Sequence, residues 1–280
     1  MVNLLRRLRT NRLAFIGFLI IVATVLIALF APLIAPYDPT AMDTANRFAP
    51  PGSPGHILGT DEFGRDVLSR IIYGSRVSLL VATVAVGLAT TIGGGTGLLV
   101  GFIGGRLDTY MMRVVDVLFA IPALMLALGV VGLLGPSARS VTIALGVAYS
   151  PLFARIIRSA AVGTRSQGYI EAARAMGASQ RRILWEDVVP NILPVFMVQA
   201  TATLAWGILD EASLGFLGLG VQPPTPSWGA LLTTGRQYFY QSPTVAIFAG
   251  IAVFIVVFGF NLFGDGLRDL MDPRAWRRGE

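Results

Sequence analysis

The stretch VSLLVATVAVGLATTIGGGTGLLVGFIGG, residues 77–105, contains 29 consecutive residues without a charged side chain. A helix needs about 20 mostly apolar residues to cross the hydrocarbon core of a bilayer, which is about 30 Å thick. This stretch is long enough to do so after its polar ends are trimmed. It therefore predicts a membrane-spanning helix, and the same criterion can be applied along the rest of the chain.

Four other charge-free stretches qualify, residues 13–37, 117–138, 191–209 and 237–264. A sixth candidate, residues 141–154, is weaker, because its 14 residues reach only about 21 Å at the rise of an α-helix. It becomes a workable span if Ile156 and Ile157 are included and if Arg155 and Arg158 extend toward the headgroups. The stretch nearest the N-terminus, residues 13–37, is too long for the apolar region of a cleaved signal peptide, so we expect a retained helix. The sequence thus predicts an all-α integral membrane protein with six transmembrane helices.

The composition agrees and excludes several other classes of protein. Hydrophobic residues make up 54% of the chain and charged residues only 14%, whereas an average soluble domain contains about 25% charged residues. All 22 basic residues are arginines, so the chain cannot contain the Gly-x-x-x-x-Gly-Lys-Ser/Thr loop that binds nucleotide phosphates. The absence of cysteine and the single histidine argue against the common metal sites. We therefore expect no cofactor bound by this chain.

The distribution of arginines predicts the orientation. If the N-terminus is cytoplasmic, six arginines fall outside, Arg47, Arg65, Arg70, Arg76, Arg139 and Arg236, and all the others fall inside. The positive-inside rule therefore favours both termini in the cytoplasm. Because the arginines are dispersed over several loops, the sequence pI of about 10.3 does not indicate a nucleic-acid partner.

Two long segments lie outside in this orientation. Residues 38–76 contain four prolines and several glycines, which predict a turn-rich loop. Residues 67–72 then have helical spacing and predict a short helix on the membrane surface. His56 in this loop is assigned no role. In residues 211–242 the glycine-rich first half either extends the fifth helix or folds back toward the membrane, and the proline-rich second half is irregular, with Trp228 at the membrane interface.

The long cytoplasmic segment, residues 155–190, predicts a helix, a break and a second helix. Residues 169–176 are mostly good helix formers, and Gly177 can supply the left-handed turn that ends a helix. Ser179 is placed to cap a second short helix that runs toward Trp185. Small alanines on an exposed cytoplasmic helix permit close approach by another protein. The alternative is an ordinary amphipathic helix that rests on the bilayer surface.

Within the predicted spans, glycines recur at every fourth residue of one helix face, at Gly93, Gly97, Gly101 and Gly105. Such a pattern favours close packing of two helices. The acids that border the spans are Asp116, near the cytoplasmic end of the third, and Asp210 with Glu211, near the outer end of the fifth. An acid at mid-membrane would indicate an ion pathway, and the absence of one argues against ion-coupled transport.

Several motifs resemble those of a known transporter family. Glu171-Ala172-Ala173, followed by Gly177 and by Pro190, resembles the "EAA" loop of permease subunits in binding-protein-dependent ABC importers. The segments 59–70, 214–229 and 261–268 are similar to the C-type permeases of dipeptide, oligopeptide and nickel importers, and the similarity extends from the first span to Arg274. Two positions of the EAA pattern differ, because Asp187 stands where an apolar residue is usual and Val189 stands where leucine is usual.

The resemblance implies a type I ABC importer permease fold in the cytoplasmic (inner) membrane of a prokaryote. It implies two domains, residues 1–76, with a cytoplasmic arm, the first span and an outer loop, and residues 77–280, the permease core with five spans and the coupling loop 155–190. The partners would be a second, homologous B-type permease, two cytoplasmic ATPase subunits that bind ATP and Mg²⁺, and an extracytoplasmic peptide-binding protein. The chain would be a transporter subunit and not an enzyme, and its cargo would be dipeptides or oligopeptides.

The resemblance also implies roles for individual residues. The ATPase-coupling loop would consist of Tyr169, Glu171, Ala172, Ala173, Arg174, Gly177, Ala178 and Pro190. Glu171 would pair with a local arginine such as Arg174 or Arg182. The residues that face the binding protein would be Asp61, Gly64, Arg65, Asp66, Pro224 and Trp228.

Other functions remain as alternatives. Permeases of the same class carry nickel chelates or glutathione. A secondary transporter or channel would need buried acids or an inverted repeat of discontinuous helices. An intramembrane enzyme would need a nucleophile with a base, or metal ligands, within the spans.

Overall fold

The structure, a computed structural model, describes residues 11–271, and within this range it is helical without a β-strand. The helices are α1 (Arg12–Leu29), α2 (Ala31–Ile34), α3 (Val67–Ala89), α4 (Gly95–Ile103), α5 (Gly105–Phe119), α6 (Ala123–Leu134), α7 (Ala138–Arg165), α8 (Gly168–Ala175), α9 (Gln180–Arg182), α10 (Val189–Phe216), α11 (Trp228–Gln237) and α12 (Thr244–Met271). Five helical stretches are long and apolar enough to cross a membrane, and α5 with α6 would form a sixth span. The predicted all-α membrane fold is therefore confirmed. The predicted N-terminal arm up to residue 10 and the arginines after Met271 lie outside the described residues.

The second span is longer than predicted. Helices α3 and α4 are joined by a π-helical segment, Thr90–Gly94, so that one helical stretch runs over Val67–Ile103. The prediction of a separate surface helix at residues 67–72 is wrong, because these residues form the first turns of α3. Asp66 begins the helix by accepting a hydrogen bond from the Ser69 backbone N–H at 2.8 Å. The predicted domain boundary after residue 76 falls inside α3.

The third span is not the single helix predicted over residues 117–138. Helix α5 ends at Phe119, α6 begins at Ala123, and the two helices are bent by 85°. Pro122 explains the break, since it lacks a backbone N–H and disfavours a helical conformation at the preceding residue. The 12 residues of α6 reach about 18 Å and cannot cross a bilayer alone.

Helix α7, which contains the candidate span that looked weakest in the sequence, is the most buried of the five long stretches. Two of its hydroxyl groups bond within the helix: Ser150 Oγ donates to the Gly146 carbonyl at 2.7 Å, and Thr142 Oγ1 donates to the Ala138 carbonyl at 2.8 Å. Ala144, Leu145 and Phe153 are fully buried. The low hydropathy of α7 therefore reflects a central position, in which neighbouring helices replace lipid.

The fifth span extends beyond the prediction at both ends. Ser179 caps α9 as expected, with its Oγ accepting from the Arg182 N–H at 3.3 Å. The helix does not stop near Trp185, however, but continues through the π-helical segment Ile183–Val188 into α10. The glycine-rich segment partly extends α10, which ends at Phe216.

The first and last spans pack closely together. A Cβ atom built on Gly17 of α1 would lie 2.6 Å from the Gly259 carbonyl oxygen and the Phe263 nitrogen of α12. A Cβ atom on Gly266 would likewise overlap Ala14. Helix α1 is thus held against the core by small residues that permit close backbone approach.

Candidate functional site

The cytoplasmic loop contains the short helix α8, which ends at a left-handed glycine. Gly177 has a φ of +83°, and its N–H donates to the Arg174 carbonyl at 2.9 Å. The Ala178 N–H donates to the Ala173 carbonyl at 3.0 Å. These bonds satisfy carbonyl groups at the helix end. The predicted turn at Gly177 is confirmed.

One side of α8 is attached to the spans. Ile170 is fully buried in an apolar cluster with Phe102 of α4, Ile157 of α7, and Ile183 and Ile192 from the fifth span. Ala173 and Ala178 pack partly against the same cluster. Three long helical stretches therefore contribute to the cluster that holds one side of α8.

The other side of α8 is exposed. Tyr169 is 48% exposed and Met176 is 81% exposed, and Glu171, Ala172 and Arg174 are also on the surface. The predicted pairing of Glu171 is wrong. Arg182 instead pairs with Glu186 at 2.8 Å, and within residues 11–271 Glu171 forms no ion pair. Pro190 is exposed at the start of α10.

Two arginines of α7 hold the corner between α4 and α5 beside this loop. Arg158 Nη2 donates to Asp108 Oδ2 at 2.6 Å, and Arg165 Nη1 donates to the Phe102 carbonyl at 2.9 Å. The tight turn at this corner requires a φ of +73° at Gly104, beside the Arg165 guanidinium. The cytoplasmic ends of α4, α5 and α7 are therefore linked through polar contacts as well as apolar ones.

The glycine stripe lies against α7 along three of its four positions. Cβ atoms built on Gly93, Gly97 and Gly101 would contact the backbone of Ser150, Ala154 and Arg158, respectively. The contacted residues recur at four-residue spacing, so the two helix faces are in register over two turns. Gly105 does not belong to this contact: it begins α5 with a φ of +69°, and nothing lies within 4 Å of a Cβ at that position.

The outer loop is organised around the buried carboxylate of Asp61. Its Oδ2 atom lies 2.7 Å from Arg65 Nε and 3.3 Å from Arg70 Nε, and its Oδ1 accepts from the Arg65 N–H at 3.0 Å. Arg65 also pairs with Glu62 at 2.7 Å. Burial, and secondarily the charge of Asp61, raise the pKa of Glu62. Gly64, with a φ of +75°, lies directly against the Asp43 backbone.

His56 and Trp228 also have structural positions in the outer region. His56 Nδ1 lies 3.0 Å from Asp66 Oδ1, and its ring packs beside Tyr37. Trp228 is 2% exposed, and its indole N–H donates to the Ile71 carbonyl at 3.1 Å. His56 is therefore a partner of the residue that caps α3, and Trp228 joins α11 to α3.

These positions correct the prediction for the binding-protein-facing residues. Asp61, Gly64, Arg65, Asp66 and Trp228 are all buried, and only Pro224 is exposed. Buried side chains cannot contact a docked protein, so the five residues shape the outer loops from within. The charges of Asp61 and Arg65 compensate each other inside the loop, and the Trp228 indole bonds to the Ile71 carbonyl of α3.

The structure brings together one polar pair that the sequence analysis missed. Asp210 and Glu211 lie within α10, two turns before its end, and Tyr149 of α7 donates from its hydroxyl to Asp210 Oδ2 at 2.6 Å. The two residues are 61 positions apart, and no local pattern connects them. Within residues 11–271, no group of three His, Asp or Glu side chains is placed to hold a metal ion.

The chain is similar along its length to transport proteins. A sequence profile described as "Binding-protein-dependent transport system inner membrane component" matches residues 93–277. A second profile, described as "N-terminal TM domain of oligopeptide transport permease C", matches residues 2–51.

Two curated relatives and one solved structure give the detail. The dipeptide transport system permease protein DppC of Alkalihalophilus pseudofirmus is 41% identical, over 96% of this chain and 88% of the relative. The glutathione transport system permease protein GsiD of Pectobacterium atrosepticum is 39% identical, over 96% of this chain and 89% of the relative. A chain of the MetNI methionine ABC transporter in an inward-facing conformation is 25% identical, with a TM-score of 0.59, over 72% of this chain and 96% of that chain.

Proposed function

Because the chain belongs to the family of inner membrane components of binding-protein-dependent transport systems, we propose that it forms half of the pathway by which an ABC importer carries peptides across the membrane. The chain is a multi-pass permease subunit with a type I importer fold. Such a subunit is not an enzyme, since ATP is hydrolysed by separate subunits of the importer. The alternatives of an ion-coupled transporter, a channel or an intramembrane enzyme are thereby excluded.

One observation carries the choice of cargo, namely the 41% identity to a dipeptide permease over 96% of this chain. The glutathione permease is nearly as similar, at 39%. Glutathione is itself a modified tripeptide, so both relatives support a short peptide as the cargo class. Glutathione remains the second candidate, and no described residue favours nickel chelates.

Helix α8 and the turn after it form the proposed coupling site for the ATPase. The exposed alanine and glycine residues of this loop leave room for close approach by a partner surface. The buried Ile170 on the opposite side joins the helix to three spans. A movement of the ATPase surface would therefore displace these spans as a body, in the manner of rigid-body switching between two access states.

The partners follow in the same way. A permease of this family works with a second permease, ATPase subunits and a binding protein. The finer assignment is that the second permease is a homologous B-type subunit in a heterodimer, that two ATPase subunits bind the cytoplasmic loops, and that the binding protein delivers a peptide to the outer face. The exposed outer segment that contains Pro224 is our candidate for contact with the binding protein.

Reconstitution of the complete importer tests the cargo. Purified permease pair, ATPases and binding protein in proteoliposomes are expected to accumulate labelled alanyl-alanine when ATP is supplied on the ATPase side, and omission of this chain is expected to abolish uptake. Uptake of glutathione without uptake of alanyl-alanine would replace the first candidate by the second. Uptake of neither would overturn the proposed cargo class.

The orientation is tested with single thiols, because the chain contains no cysteine. Met176→Cys and Ile57→Cys place a thiol at positions that are 81% and 65% exposed. A membrane-impermeant maleimide is expected to label Met176→Cys only from the cytoplasmic side and Ile57→Cys only from the outer side. Labelling of Met176→Cys from outside would overturn the coupling site.

A further inference from the structure

We propose that a pocket between the break in the third span and α10 binds the α-ammonium group of the transported peptide. This pocket, here called the Asp210 pocket, has a volume of about 460 Å³ and includes Ile121 and Pro122 from the break, Tyr149 from α7, and Trp206 and Asp210 from α10. The inference rests on the proposed function, because it takes a peptide as the cargo.

The Asp210 carboxylate lacks a cationic partner. Its Oδ2 accepts a hydrogen bond from the Tyr149 hydroxyl at 2.6 Å, the residue is only partly buried, and no ion pair to it occurs within residues 11–271. A carboxylate within a spanning helix is costly against lipid and is normally found facing a bundle interior or an aqueous cavity. The face that carries Asp210 therefore borders a polar space in the assembled importer.

The break in the third span marks the same face independently. Residues 120–122 lie between α5 and α6, and Ile121 and Pro122 line the pocket. Backbone that leaves the helical conformation within a membrane is tolerated only where it is covered by protein or lines a water-filled cavity. Transporters use such discontinuous helices to form substrate sites. Two unrelated features, a carboxylate and a helix break, thus converge on one pocket.

The remaining walls suit a small organic cation. Trp206 is 61% exposed and contributes to the lining together with the Tyr149 ring, whereas the Phe119 ring already faces the Arg155 guanidinium at 4.5 Å. Aromatic faces attract a cation through their quadrupole, and a carboxylate adds a charge-assisted hydrogen bond. Every free peptide has an α-ammonium group at its N-terminus, whatever its side chains. A site for this group would accept peptides of varied sequence.

The experiment uses protection of a thiol in the complete importer, reconstituted in nanodiscs. Ala123→Cys places a thiol in the pocket wall, and Ala23→Cys on the exposed face of α1 is the control for a position outside the pocket. The probes are alanyl-alanine and propionyl-alanine, which share a backbone and differ in the α-ammonium group. We measure the rate at which a neutral maleimide modifies the introduced thiol of this chain while the probe is present at a millimolar concentration.

Alanyl-alanine is expected to slow modification of Ala123→Cys severalfold, and propionyl-alanine is expected to leave it unchanged, with no effect of either probe on Ala23→Cys. Adding Asp210→Asn is expected to abolish the protection, Asp210→Glu to restore part of it, and Asp269→Asn, which neutralises an exposed acid near the end of α12, to preserve it. Trp206→Leu is expected to weaken it. Equal protection by both probes, protection that survives Asp210→Asn, or no protection at all would each overturn the inference.

Uptake, measured in the proteoliposomes that test the cargo, separates this inference from the proposed function. If the unaltered importer accumulates alanyl-alanine but the probe does not protect Ala123→Cys, the pocket assignment is wrong and the peptide function stands. If the importer does not accumulate the peptide, the proposed function itself is wrong. Should Asp210→Asn fail to assemble, Trp206→Leu decides, because it keeps the carboxylate and removes an aromatic wall of the pocket; unchanged protection in that variant would overturn the inference.

Discussion

Arg158 of α7 donates two hydrogen bonds to the carboxylate of Asp108 on α5, one from Nε and one from Nη2. The two residues are 50 positions apart in the chain. Their contact closes the corner between α4 and α5 onto the cytoplasmic half of α7, about two turns before the segment that leads to α8. The arginine that looked like an obstacle to membrane insertion is therefore a side chain that holds the bundle together near the proposed coupling site.

Removal of this contact is expected to loosen the corner. Asp108→Asn leaves the Arg158 guanidinium with a neutral acceptor, which for a partly exposed pair costs about 1 kcal/mol. We expect a lower midpoint of thermal unfolding for the detergent-solubilised complex. The exchange Asp108→Arg with Arg158→Asp is expected to recover part of the loss.

The control for this pair is Glu186→Gln, which disrupts the Arg182–Glu186 pair, whose side chains are 66% and 63% exposed. We expect almost no change in the midpoint. An equal loss of stability in both variants would contradict a special role for the contact between α5 and α7.

The glycine stripe gives a second prediction. A Cβ atom at Gly97 overlaps the backbone of Ala154, which belongs to the central helix and cannot move aside easily. Gly97→Ala is expected to separate α4 from α7 and to destabilise the folded chain by about 1 to 3 kcal/mol, the usual range for overpacking. The yield of monodisperse permease complex after graded heating measures this effect.

Gly95→Ala is the matched control, since Gly95 lies in the same helix and has nothing within 4 Å of a built Cβ atom. It is expected to be neutral or slightly stabilising, because alanine has the higher helix propensity. If Gly97→Ala proved as harmless as Gly95→Ala, the close approach of the two helices would be wrong.

The turn after α8 gives a third prediction. Gly177→Pro removes the N–H that bonds to the Arg174 carbonyl and fixes φ near −65°, whereas the structure requires +83°. We expect the reconstituted importer to lose most of its peptide-stimulated ATPase activity while this chain remains in the membrane. Gly177→Ala is expected to have a smaller effect of the same kind, since the left-handed conformation costs a non-glycine residue about 1 to 2 kcal/mol.

Gly168→Ala serves as the control for this turn. Gly168 begins α8, has no positive φ and leaves open space for a Cβ atom. A bulky residue at Ala173, by contrast, would disturb the cluster around Ile170, and Ala173→Trp is expected to uncouple transport as Gly177→Pro does. Full peptide-stimulated ATPase activity in the Gly177→Pro or the Ala173→Trp complex would show that the coupling site is elsewhere.

The buried carboxylate of the outer loop gives a fourth prediction. Asp61→Asn removes the negative charge that faces Arg65 and Arg70, both almost fully buried. Loss of one partner from a buried ion pair costs about 3 to 5 kcal/mol. We expect the outer loop to open, which rapid cleavage by a protease added to the outer side would detect.

Asp38→Asn is the comparison for the loop, because Asp38 is exposed and its contacts are to the neighbouring Thr40. Its cleavage rate is expected to match that of the unaltered chain. Resistance to protease in Asp61→Asn would mean that the loop does not depend on the charge at its centre.

Local sequence features predicted most of the membrane fold. Charge-free runs located the spans, since hydrophobic transfer free energy sums along the chain irrespective of partners. The turn at Gly177 and the cap at Ser179 were also predictable, because each depends on the conformational preference of one residue and its immediate neighbours. Motif similarity then identified the family from residues that are close together in the sequence.

The sequence could not show which polar residues are buried. Asp61 and Trp228 have the character of contact residues, yet tertiary packing places them inside the outer loops, with partners such as Arg70 and Ile71 that no short motif predicts. The burial of α7 was likewise not predictable from the sequence. Its arginines and hydroxyl groups lower the hydropathy of the segment, and only the packed structure shows that neighbouring helices surround it.

By itself, the sequence determined that this is a helical membrane protein, roughly where its spans lie, and the transporter family to which it belongs. Only the tertiary structure decided that Arg158 meets Asp108, that Tyr149 meets Asp210, and that the third span is broken into two helices bent by 85°. The physical reason is that hydropathy and turn preferences act locally, whereas the partner of a polar side chain depends on how distant helices pack.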